Sequence, residues 1–185
     1  MKYELFFLNN IHDSMEMVNV EMDPFLDLCH RDRYFDEIGM KHIILNLANC
    51  LELLIKYRLE REHWTLIFAD LNKARYENYL DGDFASVDIK SGISRLKNIC
   101  EIEYPFMASM RIYQYRNRLM HYTLNGIFEQ IIKDVAGAMR EVAEFVEKEI
   151  LRDLPEEAQE DFQQSIADYR EYAETLDKLK CNTLK

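Results

Sequence analysis

The feature that most constrains this chain is the stretch 36–62, where Ile44, Leu47, Ala48, Leu51 and Ile55 return every three or four residues. Such a stripe is one face of an amphipathic helix, and its stability depends on other elements covering the apolar side. Those elements should be helical too. Only 5 Gly and 3 Pro interrupt 185 residues, and hydrophobic residues make up 48%, which favours long helices over a turn-rich β fold. The expected fold is all-α: an up-and-down helical bundle in a single domain over residues 1–185, enough chain to bury one sizeable core.

The flanking elements follow from the same spacing. Leu5, Leu8, Ile11, Met15 and Val18 set a first helix over about 3–21, and Asp23-Pro24 then reads as an N-cap with proline at the first position of a short helix or turn through HRDRYFDE. After the central helix the pattern breaks up over 65–88. Asp81-Gly82 marks a turn there, and Ser86 is the candidate cap of a helix over 89–99. Tyr104-Pro105 opens a helix reaching Arg118 or a little beyond. Asn125-Gly126 marks another turn. Ile131, Val135, Met139, Val142, Phe145, Val146 and Ile150 line the inner side of a helix over about 127–151, and Pro155 starts an acidic last helix over about 155–180.

Several function classes find no support. Cys29, Cys50, Cys100 and Cys181 are scattered without a CxxC, and His12, His30, His42, His63 and His121 form no HExxH or HxH. Reduced thiols, with no built-in metal and no cofactor, are therefore expected. Gly-rich phosphate loops and GxSxG are absent as well. The apolar patch at Leu5, Phe6, Phe7 and Leu8 is too short for a signal peptide. No window approaches the roughly 18 uninterrupted apolar residues of a membrane span, so a cytoplasmic chain without a membrane partner is expected. A net charge of −11 argues against general nucleic-acid affinity. The average conceals two unlike segments, however: residues 90–122 hold six basic side chains against two acidic, and 134–177 hold fourteen acidic against four basic.

The basic segment ends in QYRNRLMHY, residues 114–122. At about 100° per residue, Phe106, Met110, Tyr113 and Met120 make an apolar stripe with Asn117 in its middle. Arg116 then lies roughly 80° to one side and His121 roughly 60° to the other, while Arg111, Tyr115 and Arg118 point away toward solvent. A charged or amide group on the packed side needs a partner. Glu52 offers one, because it stands a heptad from both Leu45 and Leu59 in a row otherwise apolar. Two readings stay open: a Glu52–Arg116 ion pair that fixes helix register and does no chemistry, or a functional Arg/His site.

The run Arg116-Asn117-Arg118-Leu119-Met120-His121 resembles the Rx4–6H motif of the HEPN domain superfamily, with its polar residue just after the arginine. The likeness extends to an all-helical setting over about 36–151, including NLANCLELLIKYRLEREHW with Glu52 and Lys56 one turn apart. The resemblance implies a compact helical bundle with metal-independent endoribonuclease activity. In such an enzyme the 2′-OH of RNA attacks the neighbouring phosphate, leaving a 2′,3′-cyclic phosphate and a 5′-OH end. By the same likeness Arg116 and His121 are catalytic, with Asn117 supporting. His121 can exchange protons near neutral pH, and Arg116 offers a planar fork of donors to phosphate oxygens.

The resemblance also implies a homodimer in which two copies of the motif line one cleft. Arg118, Arg111, Lys97 and Arg95 would then make a basic RNA-binding groove, and the acidic C-terminal helix would lie away from RNA or cover the cleft. An antitoxin or regulatory protein is a possible partner. HEPN toxins paired with small nucleotidyltransferases often carry a tyrosine two positions past the histidine; this chain has Thr123 there and Tyr122 beside His121, so that pairing is not expected. The branch stays open among toxin-like, phage-defence and RNA-processing roles. Two other classes remain: a HEPN module that binds RNA, nucleotide or a protein without cleaving, and a purely structural bundle.

Overall fold

A computed structural model describes residues 2–32, 36–121, 124 and 126–179, with side chains described over 7–29 within the first of these stretches. Among the described residues the chain forms seven α-helices and no strand: α1 (Lys2–Asp32), α2 (Glu37–Glu62), α3 (Tyr76–Asp81), α4 (Ile89–Asn98), α5 (Met107–His121), α6 (Phe128–Phe145) and α7 (Glu156–Lys178). It is the all-α helical bundle that the spacing predicts.

Side-chain pairs give the direction of each helix. Along α1 and α2, Glu21 meets His42, Ser14 meets Asn49 and Phe7 meets Tyr57, so the two run antiparallel. Between α5 and α6, Ala108 meets Glu141 and Arg111 meets Asp134, again antiparallel. Arg140 of α6 reaches Asp177 of α7, and Glu147, just past the end of α6, meets Arg170 of α7, so these two are antiparallel as well. By contrast, Glu16 with Ser165 and Asp23 with Tyr172 make α7 parallel to α1. The five long helices therefore alternate up and down. One end of the bundle gathers the start of α2, the end of α5, the start of α6 and the end of α7. The opposite end carries the excursion from α2 through α3 and α4 to α5.

α2 is the central helix and packs on α1, α4, α5 and α6. Ile44, Leu47, Ala48, Leu51 and Ile55 are all buried, as are Met40, Ile43, Cys50, Leu54, Tyr57 and Leu59. Among the described residues α2 alone is long and apolar enough to cross a membrane by length and mean hydropathy, and this burial inside the bundle accounts for that apolarity.

Three expectations about element boundaries are corrected. The break at Asp23-Pro24 does not occur, because α1 continues through Pro24 to Asp32. An interior proline costs about 3 kcal/mol, but Met22, Phe25, Leu26 and Cys29 extend the buried row of Leu8, Ile11, Met15 and Val18, at about 1.5–3 kcal/mol for each large side chain. Asp23 instead accepts a hydrogen bond from the Tyr172 hydroxyl at 2.7 Å. The cap of α4 is Asp88, not Ser86: its carboxylate accepts from the Lys90 and Ser91 amides and the Ser91 hydroxyl. Finally, the regular part of α6 stops at Phe145 and passes into a π-turn (Val146–Ile150) and a 3-10 turn (Leu151–Asp153). The side chains of Leu5 and His30, and the residues Tyr122, Thr123, Asn125, Lys180 and Cys181, lie outside what is described.

The acidic helix α7 is integral to the core. Phe162, Ser165, Ile166, Tyr169, Ala173 and Leu176 are buried against α1 and α6, so it is no detachable cover.

Candidate functional site

α5 carries the motif, and what buries it differs from the expected stripe. Its buried residues are Ala108, Ser109 and Ile112, with Phe106 just ahead, whereas Met120 is 62% exposed and Asn117 and Tyr113 are half-buried. The reason is the tight seam with α6. A Cβ on Gly137 would stand 2.8 Å from the Ala108 Cβ, so small residues let the two backbones approach, and small residues contribute little to a hydrophobic pattern. The Glu141 carboxylate seals the start of the seam by accepting from the Ala108 and Ser109 amides, which lack partners in the first turn.

The motif occupies the last turns of α5. The Arg116 Nη1 donates to the Asn117 Oδ1 at 2.9 Å, and the guanidinium lies 5.7 Å from the centre of the Tyr113 ring. Both neighbours are uncharged. Arg118 and His121 are exposed and make no hydrogen bond or ion pair with another described residue. Around the helix axis Arg116 and His121 stand about 140° apart. At the same end of the bundle a groove of about 520 Å³, which neither Arg116 nor His121 lines, runs between the start of α2 and the end of α5 past Ile38, Lys41, Leu119, Leu124 and Phe128. Ile38 and Ile127 are 69% and 72% exposed at this end of the bundle.

The expected Glu52–Arg116 ion pair does not form. Glu52 accepts from Lys56 Nζ at 2.7 Å, one turn along α2, and the same Nζ donates to the Ser86 hydroxyl at 2.8 Å. The basic groove expected from four residues also divides. Arg95 donates to the carbonyls of Leu66, Phe68 and Ala69, which ties α4 to the turn after α2. Lys97 is paired with Glu103. Arg111, expected in solvent, donates through Nε to Asp134 at 2.6 Å. Arg118 alone of the four stands without such a partner among the described residues.

Asp134 is the residue the sequence reading missed. It is buried to 1% exposure, and it also accepts from the Tyr115 hydroxyl at 2.5 Å and the Gln130 amide at 2.9 Å. Burial, then the bond to Asp134, pushes the Tyr115 hydroxyl up to about 12, so it remains a proton donor. A signal was present: Asp134 stands three residues after Ile131 and four before Ala138, inside the buried row of α6.

Among the described residues no three His, Cys, Asp or Glu side chains are grouped to hold a metal. Cys50 is a buried free thiol and Cys100 a half-buried one, and Cys29 is buried as well. In comparisons with known proteins, no family model matches the chain, and no curated protein or solved structure is significantly similar to it.

Proposed function

We propose that this chain is a metal-independent endoribonuclease of the HEPN type, acting in the cytoplasm, with Arg116 and His121 catalytic and Asn117 supporting. The observation that carries the reading is the state of Arg116. Its guanidinium rests on a neutral amide and an aromatic ring, so among the described residues its charge is not spent on a carboxylate and its remaining donors can meet a phosphate.

The chemistry is a transfer within the RNA. The 2′-oxygen attacks the adjoining phosphorus, the P–O5′ bond breaks, one proton leaves the 2′-oxygen and one arrives at the 5′-oxygen. His121, exposed at the end of α5, exchanges one of these protons, a contribution of about 10²–10⁴-fold. Arg116 stabilises the charge gathering on the phosphate oxygens. The angle of about 140° between the two side chains leaves room for a second copy, whose histidine would serve the other proton. The exposed Met120, Ile127 and Ile38 offer apolar surface for that homodimer. Such an activity suits a toxin, a defence nuclease or an RNA-processing enzyme restrained by another protein.

The same angle favours a second reading, a module that binds RNA through Arg116 without cutting it. Purified wild-type and His121→Ala protein, incubated with a panel of structured RNAs in EDTA, separate the two. The expected result is cleavage to 2′,3′-cyclic phosphate ends by the wild type and a loss of about 10²–10⁴-fold in the variant. Equal cleavage by both, or none by either, overturns the nuclease reading; binding without cleavage supports the module.

A further inference from the structure

A buried carboxylate is costly unless its oxygens are fully engaged; Asp134 accepts from three donors, and two of them, Arg111 and Tyr115, lie on one face of α5 while the third, Gln130, is one turn back on α6. That face is the informative one. Asp134 takes Arg111 by Nε alone, and the terminal nitrogens of Arg111 make no hydrogen bond with another described residue, on a side chain 43% exposed. The Tyr115 ring is tethered at its hydroxyl one turn further on. Arg118 follows, seven residues from Arg111, which places it within about 20° of the same line and roughly 10 Å along the axis. Its charge is felt at the Tyr115 hydroxyl, which it pulls down against the stronger effects of burial and Asp134.

We propose that Arg111, Tyr115 and Arg118 form a binding face for single-stranded RNA, with the two guanidinium groups on successive phosphates and the ring stacked on a base. The proposal rests on the ribonuclease reading, since it assigns the path of the strand beyond the cleaved phosphate. The geometry supports that path. Going round α5, His121 lies between Arg116 on one side and the Arg118–Arg111 line on the other, about 60° from Arg118. A strand crossing the helix end from Arg116 thus passes His121 before it reaches this face. Asp134 offsets part of the Arg111 charge, so Arg118 carries the stronger attraction and Arg111 contributes through its two terminal nitrogens, while Glu129 faces the groove between α6 and α7 with Lys133, Leu176 and Leu179. Bidentate guanidinium contacts and aromatic stacking recognise a nucleotide chain without requiring a particular base.

The test reads binding apart from cleavage. A fluorescein-labelled single-stranded RNA with 2′-O-methyl groups throughout cannot be cut by 2′-oxygen attack, and its anisotropy with the full chain is followed over a series of salt concentrations. Arg118→Ala, an exposed position that leaves the fold intact, should weaken binding and reduce the slope of log K against log salt by about 0.7. Arg111→Ala should do the same per folded molecule, the folded fraction being counted by urea unfolding because this variant leaves the buried Asp134 without its cation. Tyr115→Leu should weaken binding roughly fivefold or more, and Lys73→Ala, at the opposite end of the bundle, should leave it unchanged.

Wild-type affinity and slope in both arginine variants overturn the proposal, as does competition by adenosine monophosphate at the concentrations where the oligonucleotide competes. The nuclease reading fails separately. If unmodified RNA is not cut but these variants still lose affinity, the binding face stands and catalysis falls; if RNA is cut equally well by Arg111→Ala and Arg118→Ala, the face falls and catalysis stands.

Discussion

The two ends of the bundle treat their arginines in opposite ways. At the end that carries the excursion from α2 to α5, Arg95 is spent on three backbone carbonyls, and aromatic rings close over the turn. Trp64 lies 5.4–5.7 Å from Tyr76, Tyr79 and Phe68, and Phe84 stacks on Phe68 at 4.1 Å. At the other end, among the described residues, Arg116 meets the Asn117 amide and the Tyr113 ring and no carboxylate, and Arg118 and His121 are exposed beside exposed apolar side chains. Both sets come from the same basic segment of sequence. A guanidinium whose donors are consumed by carbonyls stabilises the fold and cannot also bind an anion, whereas one held by a neutral amide keeps its charge available.

The largest expected effect follows from that contrast. Arg116→Ala should lower RNA cleavage by about 10²–10³-fold. It should cost less than about 1 kcal/mol of stability, since among the described residues it strands no carboxylate. Single-turnover cleavage together with urea unfolding measures both. A large stability loss with unchanged cleavage would make Arg116 as structural as Arg95 and dissolve the difference between the ends.

Arg95→Ala should behave in the reverse manner. Removing bonds from a charged group to three carbonyls should cost roughly 1.5–3 kcal/mol, read as a lower urea midpoint with an unchanged slope. Cleavage per folded molecule should remain that of the wild type. A fall in cleavage without a fall in stability would return Arg95 to the RNA-binding set.

How much of this contrast was legible in the sequence depends on which signal each part sends. Strong periodicity fixed the helices: every residue of the Ile44–Ile55 stripe is buried, as is the predicted inner side of α6 from Ile131 to Ile150. Side-chain partnership was less legible. Glu52 had two cations within reach of a sequence argument, Arg116 across the bundle and Lys56 one turn along its own helix, and the local partner took it. Arg95 looked like surface charge because nothing in the sequence announces that the carbonyls of Leu66, Phe68 and Ala69 converge on it. The seam between α5 and α6 was hidden for another reason. It depends on Ala108 and Gly137, whose small size permits contact, and an apolar pattern weighted toward large residues instead selected Met120, which is exposed. Asp134 was counted as one more acidic residue although its position in a buried row marked it as paired.

The smallest effect lies at the cap of the helix that carries Arg95. Asp88 accepts from the Lys90 and Ser91 amides and from the Ser91 hydroxyl, and the bonds from Ser91 hold its carboxyl below the usual range. Asp88→Ala should cost about 1 kcal/mol at neutral pH. A depressed folded pKa means that the charged form is favoured by folding, so the stabilisation is complete above the unfolded carboxylate value near 4 and is lost as pH falls through the lower folded value. The gap between wild-type and Asp88→Ala urea midpoints should therefore be constant from pH 7 to about 5 and narrow below about 4. At neutral pH His121→Ala should leave the urea midpoint within about 0.5 kcal/mol of the wild type, because its exposed side chain makes no hydrogen bond within the described chain. A pH-independent Asp88 gap would mean that the cap acts through shape alone, and that α4 is held mainly by Arg95.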